Sequence, residues 1–225
     1  MIKIYYTIFE KEFKDSTFQR YLNILPSRLK TDVMKYSKWN DKYSSLFGKL
    51  LLKKGLKEMA ITNGLNDLKF TEYGRPYLDS QVDFNISHSM GCVVCAFTDN
   101  GRVGIDVEKI EPIDFDVFKS CFTSNEWNEI EKNKNDGATF FHYWTKKEAV
   151  IKADGRGLSI PLGNFEAVED FVCLSQNNWI INQLEISDLY KVHLVSSKNQ
   201  NFELIKVDFY SHEGLTQKVK MKEVF

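Results

Sequence analysis

The segment from Phe140 to Ala153 constrains the possible folds more than any other, because its apolar residues have helical spacing and a signal that ends helices follows it. Gly155 and Gly157 come directly after it, and glycine commonly ends helices. Glu148 and Lys152 are four residues apart, so they lie one turn apart on one face. Taken alone, they predict a solvated ion pair that contributes little to stability. The apolar face consists of Phe140, Phe141, Trp144 and Ile151.

In several other segments, apolar residues recur with the spacing of a helix or of a strand. Asp41–Ala60 predicts a second long helix, because its apolar residues recur every three or four positions. Val82–Ser89 alternates apolar and polar residues, which predicts a half-buried strand. Cys92–Thr98 and Arg102–Glu108 flank Asp99-Asn100-Gly101, a strong turn signal, and predict a β-hairpin.

The rest of the chain continues the mixture of helices and strands. Thr123-Ser124-Asn125-Glu126 matches a capping box and predicts a helix from about Ser124. Beyond Pro161, strand-like runs at 178–184, 190–195 and 202–210 predict an antiparallel meander. Together these segments predict an α+β fold.

Composition excludes several classes of partner. Lys and Arg number 30 against 31 Asp and Glu, a net charge of -1, so neither nucleic acid nor membrane is an expected partner. The beginning of the chain has no signal-peptide pattern, and no apolar run approaches spanning length. Cys92 and Cys95 lie in an apolar run and point to opposite faces of a strand, which favours buried thiols over a metal pair. We therefore expect a reduced, cytoplasmic protein.

Two acidic side chains project from the same side of the predicted strand Arg102–Glu108. Asp106 and Glu108 alternate with apolar residues, so they point away from the core. They form either a solvent-facing edge or two arms of a site for a hard cation, which prefers oxygen ligands. With Glu148, the residues alone indicate an α+β enzyme with a three-carboxylate metal site.

Four ordered motifs resemble the 4′-phosphopantetheinyl transferases of the surfactin-synthetase-activating type. They are Gly-Arg-Pro at 74–76, Asn-Ile-Ser-His-Ser at 85–89, Val-Gly-Ile-Asp-Val-Glu at 103–108 and Trp-Thr-Lys-Lys-Glu-Ala-Val-Ile-Lys at 144–152. The likeness covers residues 70–165 well and the flanks loosely. Four elements in order are more specific than a lone Asp-x-Glu.

The resemblance implies transfer of phosphopantetheine from coenzyme A to a serine of an apo acyl or peptidyl carrier protein. It implies Mg²⁺, or Mn²⁺, held by Asp106, Glu108 and Glu148, because these ions suit oxygen ligands. It implies that Glu148 and Lys152 are catalytic, with Glu148 accepting the serine proton and Lys152 contacting phosphate. The coenzyme A site implied by the resemblance contains Arg28, Arg75, Pro76, Ser87, His88 and Lys152.

The resemblance also implies two similarly built halves, 1–103 and 104–225, with the site in the cleft between them. The first half would carry the coenzyme A elements, and the second the metal site and the docking surface. We expect a monomer that docks acidic carrier proteins on 115–122 and 155–165. Basic side chains near these segments would steer the carrier: Lys119, Lys147 and Arg156.

One position departs from the family pattern. Ser44 stands where the first long helix often carries an arginine, so recognition of the 3′-phosphate of coenzyme A is expected to be weaker. Arg28, Lys49 and Arg75 are the candidates to compensate.

Two alternatives stay open at this point. A metal-dependent phosphodiesterase or nuclease would use the same carboxylates with water as acceptor, and would need a basic groove. A non-catalytic module that binds coenzyme A or a carrier protein would be favoured by a missing acid, and none is missing.

Overall fold

The computed structural model describes residues 1–61, 64–134, 137–210 and, for the backbone alone, 216–222. The helices are α1 (Asp15–Leu22), α2 (Ser27–Met34), α3 (Trp39–Glu58), α4 (Ser124–Lys132) and α5 (Ala138–Asp154). The strands are β1 (Ile2–Ile8), β2 (Lys69–Phe70), β3 (Pro76–Tyr77), β4 (Asp83–Ser89), β5 (Cys92–Thr98), β6 (Val103–Lys109), β7 (Phe171–Leu174), β8 (Asn177–Gln183), β9 (Tyr190–Ser196), β10 (Phe202–Val207) and β11 (Thr216–Lys222). The α+β class is confirmed.

The strands form two main sheets. The first has the order β11-β10-β1-β5-β4, and the second has the order β6-β9-β8-β7. Within the first sheet β1 and β10 are parallel, whereas all other pairs in both sheets are antiparallel. The short strands β2 and β3 form a separate two-stranded sheet.

The two sheets pack face to face, with a helix on each outer side. Apolar residues of β1 and β5, such as Ile4 and Val94, share one core with Ile105 of β6. The other face of the first sheet packs on α3, where Phe47 and Leu51 are fully buried. The outer face of the second sheet packs on α5. The fold therefore has four layers, in the order helix, sheet, sheet, helix.

The predicted hairpin of β5 and β6 is wrong. The turn occurs, and Gly101 adopts a φ of +93°, but β5 pairs with β1 and β4 whereas β6 pairs with β9. The apolar side chains of β6 pack across the gap between the sheets, so the chain changes sheet at this turn.

The predicted meander is correct only in part. Of the three predicted strands, the first two are the neighbours β8 and β9, and the unpredicted strand β7 lies beside β8. The third, β10, lies in the other sheet and pairs with β1. The division predicted between 103 and 104 stays a prediction, and β10 and β11 cross it because they complete the first sheet.

The two cysteines of β5 are buried, as predicted. Cys92 faces the core between the sheets, and Cys95 faces the core under α3. No helix in the described ranges combines the length and apolarity that crossing a bilayer requires.

Candidate functional site

Strand β4 lies beside β6 and bonds to it through side chains. The backbone N–H groups of Val103, Ile105, Val107 and Lys109 donate to the side chains of Asp83 (2.8 Å), Asn85 (2.9 Å), Ser87 (3.4 Å) and Ser89 (3.1 Å) respectively. We call this series the side-chain ladder. The polar face of β4, predicted as the exposed side of a half-buried strand, therefore joins the edges of the two sheets.

The ladder serines also hold the two acidic residues of β6. Ser87 Oγ donates to Asp106 Oδ1 at 2.7 Å, and Ser89 Oγ donates to Glu108 Oε2 at 2.6 Å. Both acids project from β6 on the side opposite its apolar residues, as predicted. Asp106 is buried, with 2% of its side chain exposed.

Helix α5 brings Lys152 to the same point. Its Nζ lies 2.5 Å from Asp106 Oδ1 and 3.0 Å from Ser87 Oγ. Desolvation alone would lower the pKa of Lys152, but the carboxylates of Asp106, Glu148 and Glu108 together more than offset this and raise it above its usual value. The second oxygen of Asp106, Oδ2, is buried and has no hydrogen-bond partner among the described residues.

Two further carboxylates lie in the electric field of Asp106. Burial and Asp106 raise the pKa of Glu108 to about 7, although the hydrogen bond from Ser89 opposes the shift. Burial and Asp106 also raise the pKa of Glu148, while Lys152 opposes the change. Three carboxylates thus share one ammonium group, and the surplus negative charge favours an additional cation.

In the part of the chain that the structure describes, no three acidic, histidine or cysteine side chains are placed as a ligand set. The side-chain ammonium group of Lys152 forms an ion pair with Asp106. The three-carboxylate metal site therefore stays a prediction.

Arg75 is a structural anchor at one end of the ladder. Its guanidinium forms a bidentate salt bridge to Asp83 at 2.8 and 2.9 Å, and it donates to the carbonyl oxygens of Lys152 and Val103. The Arg75 guanidinium, which the resemblance places in the coenzyme A site, is thus largely occupied by its salt bridge to Asp83. A cavity of about 210 Å³ adjoins it, lined in part by Tyr73, Arg75, Pro76, Ile86, Lys152 and Gly155.

A larger cavity, of about 740 Å³, lies at the end of α3. None of the predicted site residues line it, and two lysines, Lys53 and Lys57, are its charged side chains. Volume alone therefore does not mark the site.

Basic side chains extend from the acid site toward α3. Desolvation lowers the pKa of His88, and the charges of Lys152 and Lys49 lower it further. Lys49 is half-buried on α3 and donates to Ser45 Oγ at 2.7 Å. In the sequence, Lys49 is a lysine next to the buried face of an amphipathic helix, a pattern that predicts for it no more than compensation for Ser44. Ser44 itself is buried.

Arg28 occupies a separate position. It lies on α2, and its guanidinium stacks over the Phe70 ring at 5.7 Å from the centroid. Its contact with coenzyme A stays a prediction.

Lys147 is not a surface cation, so its predicted role in steering a carrier protein is wrong. It is fully buried and forms an ion pair with the fully buried Glu126 at 2.8 Å. Its Nζ also donates to the carbonyl oxygens of Leu162 and Phe165. Glu126 closes the predicted capping box with Thr123, so the pair ties α5, α4 and the segment 157–165 together.

The two predicted docking segments lie against each other and carry exposed apolar side chains. A Cβ on Gly163 would come within 2.5 Å of Ser120 O, which shows how closely the segments approach. Val117 is 68% exposed and Leu158 is 75% exposed. Of the predicted steering cations, Arg156 is paired with Asp154 at 2.6 Å, and Lys119 stacks near the Trp127 ring.

Comparison with known proteins matches both parts of the chain. Residues 102–204 match the model of the 4′-phosphopantetheinyl transferase superfamily, and residues 12–100 match the model 4′-phosphopantetheinyl transferase, N-terminal. The first range contains Asp106, Glu108, Glu148 and Lys152, and the second contains the other residues predicted to bind coenzyme A: Arg28, Arg75, Pro76, Ser87 and His88.

Curated relatives carry the same name. The chain is 37% identical over 155 residues to 4′-phosphopantetheinyl transferase gsp of Aneurinibacillus migulanus, covering 68% of this chain and 59% of that protein. It is 31% identical over 170 residues to 4′-phosphopantetheinyl transferase Sfp of Bacillus subtilis, covering 73% and 75%. A yeast relative, the L-aminoadipate-semialdehyde dehydrogenase-phosphopantetheinyl transferase of Schizosaccharomyces pombe, is 31% identical over 160 residues, covering 61% of this chain and 60% of that protein. The chain therefore belongs to the 4′-phosphopantetheinyl transferase superfamily.

Proposed function

We propose that this protein transfers 4′-phosphopantetheine from coenzyme A to a serine of an apo acyl or peptidyl carrier protein. The serine oxygen forms a bond to the β-phosphorus of coenzyme A, and the bond from that phosphorus to the bridging oxygen breaks. Adenosine 3′,5′-bisphosphate leaves. The observation that carries the proposal is the cluster of Asp106, Ser87 and Lys152, with Glu108 and Glu148 beside it, in a chain of this superfamily.

We assign a divalent cation, Mg²⁺ or Mn²⁺, to Asp106, Glu108 and Glu148. The unpartnered Asp106 Oδ2 fits this assignment, because a buried carboxylate oxygen without a donor is costly unless another group satisfies it. The surplus of carboxylates over ammonium groups fits it too. When bound, such a cation neutralises charge on the pyrophosphate oxygens.

The protein's own residues supply the remaining steps. Lys152 contacts the pyrophosphate as a compact cation, since it already lies at the acid cluster. Glu148 accepts the proton of the carrier serine. Its raised pKa suits that role, because a general base works best when its pKa approaches the operating pH.

Coenzyme A binding is assigned to Arg28, Arg75, Pro76, Ser87 and His88, together with Lys152. Arg75 and Pro76 form a wall of the cavity beside Lys152. Ser87 acts through Asp106 and Lys152, because its hydroxyl already contacts both. The exposed Val117 and Leu158 support carrier docking on 115–122 and 155–165. Monomeric state and cytoplasmic location stay predictions.

The test is the mass of an apo carrier protein after incubation with coenzyme A and Mg²⁺. We expect the carrier to gain the phosphopantetheine mass, and no gain when the carrier serine is replaced by alanine. Hydrolysis of coenzyme A without a gain would favour a phosphodiesterase instead. Binding of coenzyme A without either reaction would favour a non-catalytic module.

A further inference from the structure

Ser89 is the last ladder residue of β4, and both hydrogen-bonding functions of its hydroxyl are used. The hydroxyl donates to Glu108 Oε2 at 2.6 Å and accepts the backbone N–H of Lys109 at 3.1 Å. One side chain thus contacts the carboxylate of one β6 residue and the backbone of the next.

The same arrangement occurs two residues earlier. Ser87 donates to Asp106 Oδ1 at 2.7 Å and receives the N–H of Val107 at 3.4 Å. Since side chains two apart in a strand share a face, the two serines and the two acids form matching rows on adjacent strands.

The other two ladder positions lack this second contact. Asp83 and Asn85 accept the N–H groups of Val103 and Ile105 through side-chain oxygens, and within the described ranges neither bonds an acidic residue. An ionised carboxylate only accepts, and an amide accepts and donates through separate atoms, whereas a hydroxyl does both through one oxygen. Hydroxyl residues therefore stand where the neighbouring strand carries an acid.

We propose that Ser89 is a positioning residue that orients the Glu108 carboxylate for the divalent cation, as Ser87 orients Asp106. This rests on the proposed function in that it takes Glu108 as a cation ligand. Residues that hydrogen-bond a metal ligand commonly change metal affinity by about 10- to 100-fold when replaced. Replacement of Ser89 should therefore change the affinity of the protein for the cation independently of any change in the stability of the fold.

The test is Mn²⁺ binding to the full chain saturated with coenzyme A, without carrier protein. Free Mn²⁺ is followed by electron paramagnetic resonance against a coenzyme A blank. We expect Ser89→Ala to raise the Mn²⁺ dissociation constant by about 10-fold. Ser89→Thr and Ser89→Val form a matched pair of similar shape, and we expect threonine to retain affinity and valine to lose it.

Asn85→Ala is the control, because it removes a ladder bond that touches no acid. We expect it to lower the melting temperature and leave Mn²⁺ affinity unchanged. Equal affinity for the threonine and valine variants would overturn the inference, even if both are less stable than the original chain. Failure of the unaltered chain to bind Mn²⁺ above the blank would instead contradict the proposed cation site itself.

Discussion

Asp106 is the residue on which three elements of the fold converge. Its Oδ1 receives hydrogen bonds from Ser87 of β4 and Lys152 of α5, while its backbone belongs to β6. Leaving a buried polar atom such as Oδ2 unsatisfied costs about 1–3 kcal/mol. A ligand that satisfies this oxygen would recover that cost, so the site should stabilise the fold when it is filled.

Glu148→Gln should abolish transfer while preserving the fold. The amide keeps the shape but removes both the proton acceptor and one negative charge. We expect the rate to fall by at least about 100-fold, and the melting temperature to stay level or rise, since burial disfavours ionised Glu148. The rate is measured from the carrier mass shift, with exposed Glu131→Gln on α4 as control. Full retained activity would count against the assignment.

Lys49→Ala should reduce discrimination between coenzyme A and dephospho-coenzyme A. Lys49 is the cation of α3 whose charge acts on both Asp32 and His88. A hydrogen bond from a charged group contributes about 1.5–3 kcal/mol, so we expect the ratio of kcat/KM values to fall by about 10-fold or more. Lys53→Ala, one turn further along, is the control. An unchanged ratio would place 3′-phosphate recognition elsewhere.

At this scale the sequence identified the acids and Lys152 but not their partners. The two-residue period of a strand places Asp106 and Glu108 on one side of β6. The period of a helix places Lys152 one turn from Glu148. The partner of Ser87 depends on how β4 aligns with β6, which no local pattern encodes. Lys147 was assigned to the surface by its charge alone, although its buried partner Glu126 lies 21 positions earlier in the chain.

Contact between α5 and β6 sets the geometry of the acid site at the element scale. A Cβ at Gly104 would lie 2.2 Å from Ala149 O and 2.5 Å from Ala153 N. Glycine therefore allows the helix that carries Glu148 and Lys152 to approach the strand that carries Asp106.

Gly104→Ala should destabilise the protein and slow transfer together. The added methyl group meets backbone atoms, so α5 must move away from β6. We expect the free energy of unfolding to fall by about 1–3 kcal/mol, measured by urea denaturation.

Gly48→Ala on α3 is the control for this effect. Its Cβ would meet Ile86 Cγ2 at 3.4 Å, an ordinary contact. Alanine is a better helix former than glycine by about 1 kcal/mol. Equal stability of the two variants would show that the close approach at Gly104 is not limiting.

Element types were more predictable than element pairing. The predicted helices 140–153 and 41–60 correspond to Ala138–Asp154 and Trp39–Glu58. The turn at Gly101 was also recognised, yet it joins two sheets instead of two hydrogen-bonded neighbours. The reversal of chain direction at the turn is encoded by local residues. The strand that pairs with β6 is β9, which lies about 90 residues later in the chain.

Polar contacts join α5 to the second sheet in addition to the apolar core between them. His142 of α5 contacts Gln183 of β8, and its ring meets that of the fully buried His193 of β9. Burial lowers the pKa of both imidazoles, and for His142 the value is about 4. The helix layer and the second sheet therefore meet around two neutral histidines.

His142→Gln should change how the stability of the whole molecule depends on pH. Below about pH 6.5 an unfolded histidine binds a proton, whereas folded His142 stays neutral until about pH 4. Its contribution to the free energy of unfolding is thus lost as pH falls through this window. Glutamine does not titrate, so the variant should gain stability relative to the original chain from pH 7 to pH 4.5. If the urea midpoints of the variant and of the original chain change in parallel across that range, the proposed contribution of His142 is contradicted.

Strand β1 obtains its second neighbour only from β10, since residues 2–6 pair with 202–206. A ribosome that has made β1 and β5 still has about a hundred residues to translate before this edge closes. A nascent chain in which β1 has paired with β5 would present an unpaired β-strand edge throughout that interval, the feature through which chains aggregate. Protection during synthesis, by a chaperone or by fast elongation, should therefore govern the yield of folded protein.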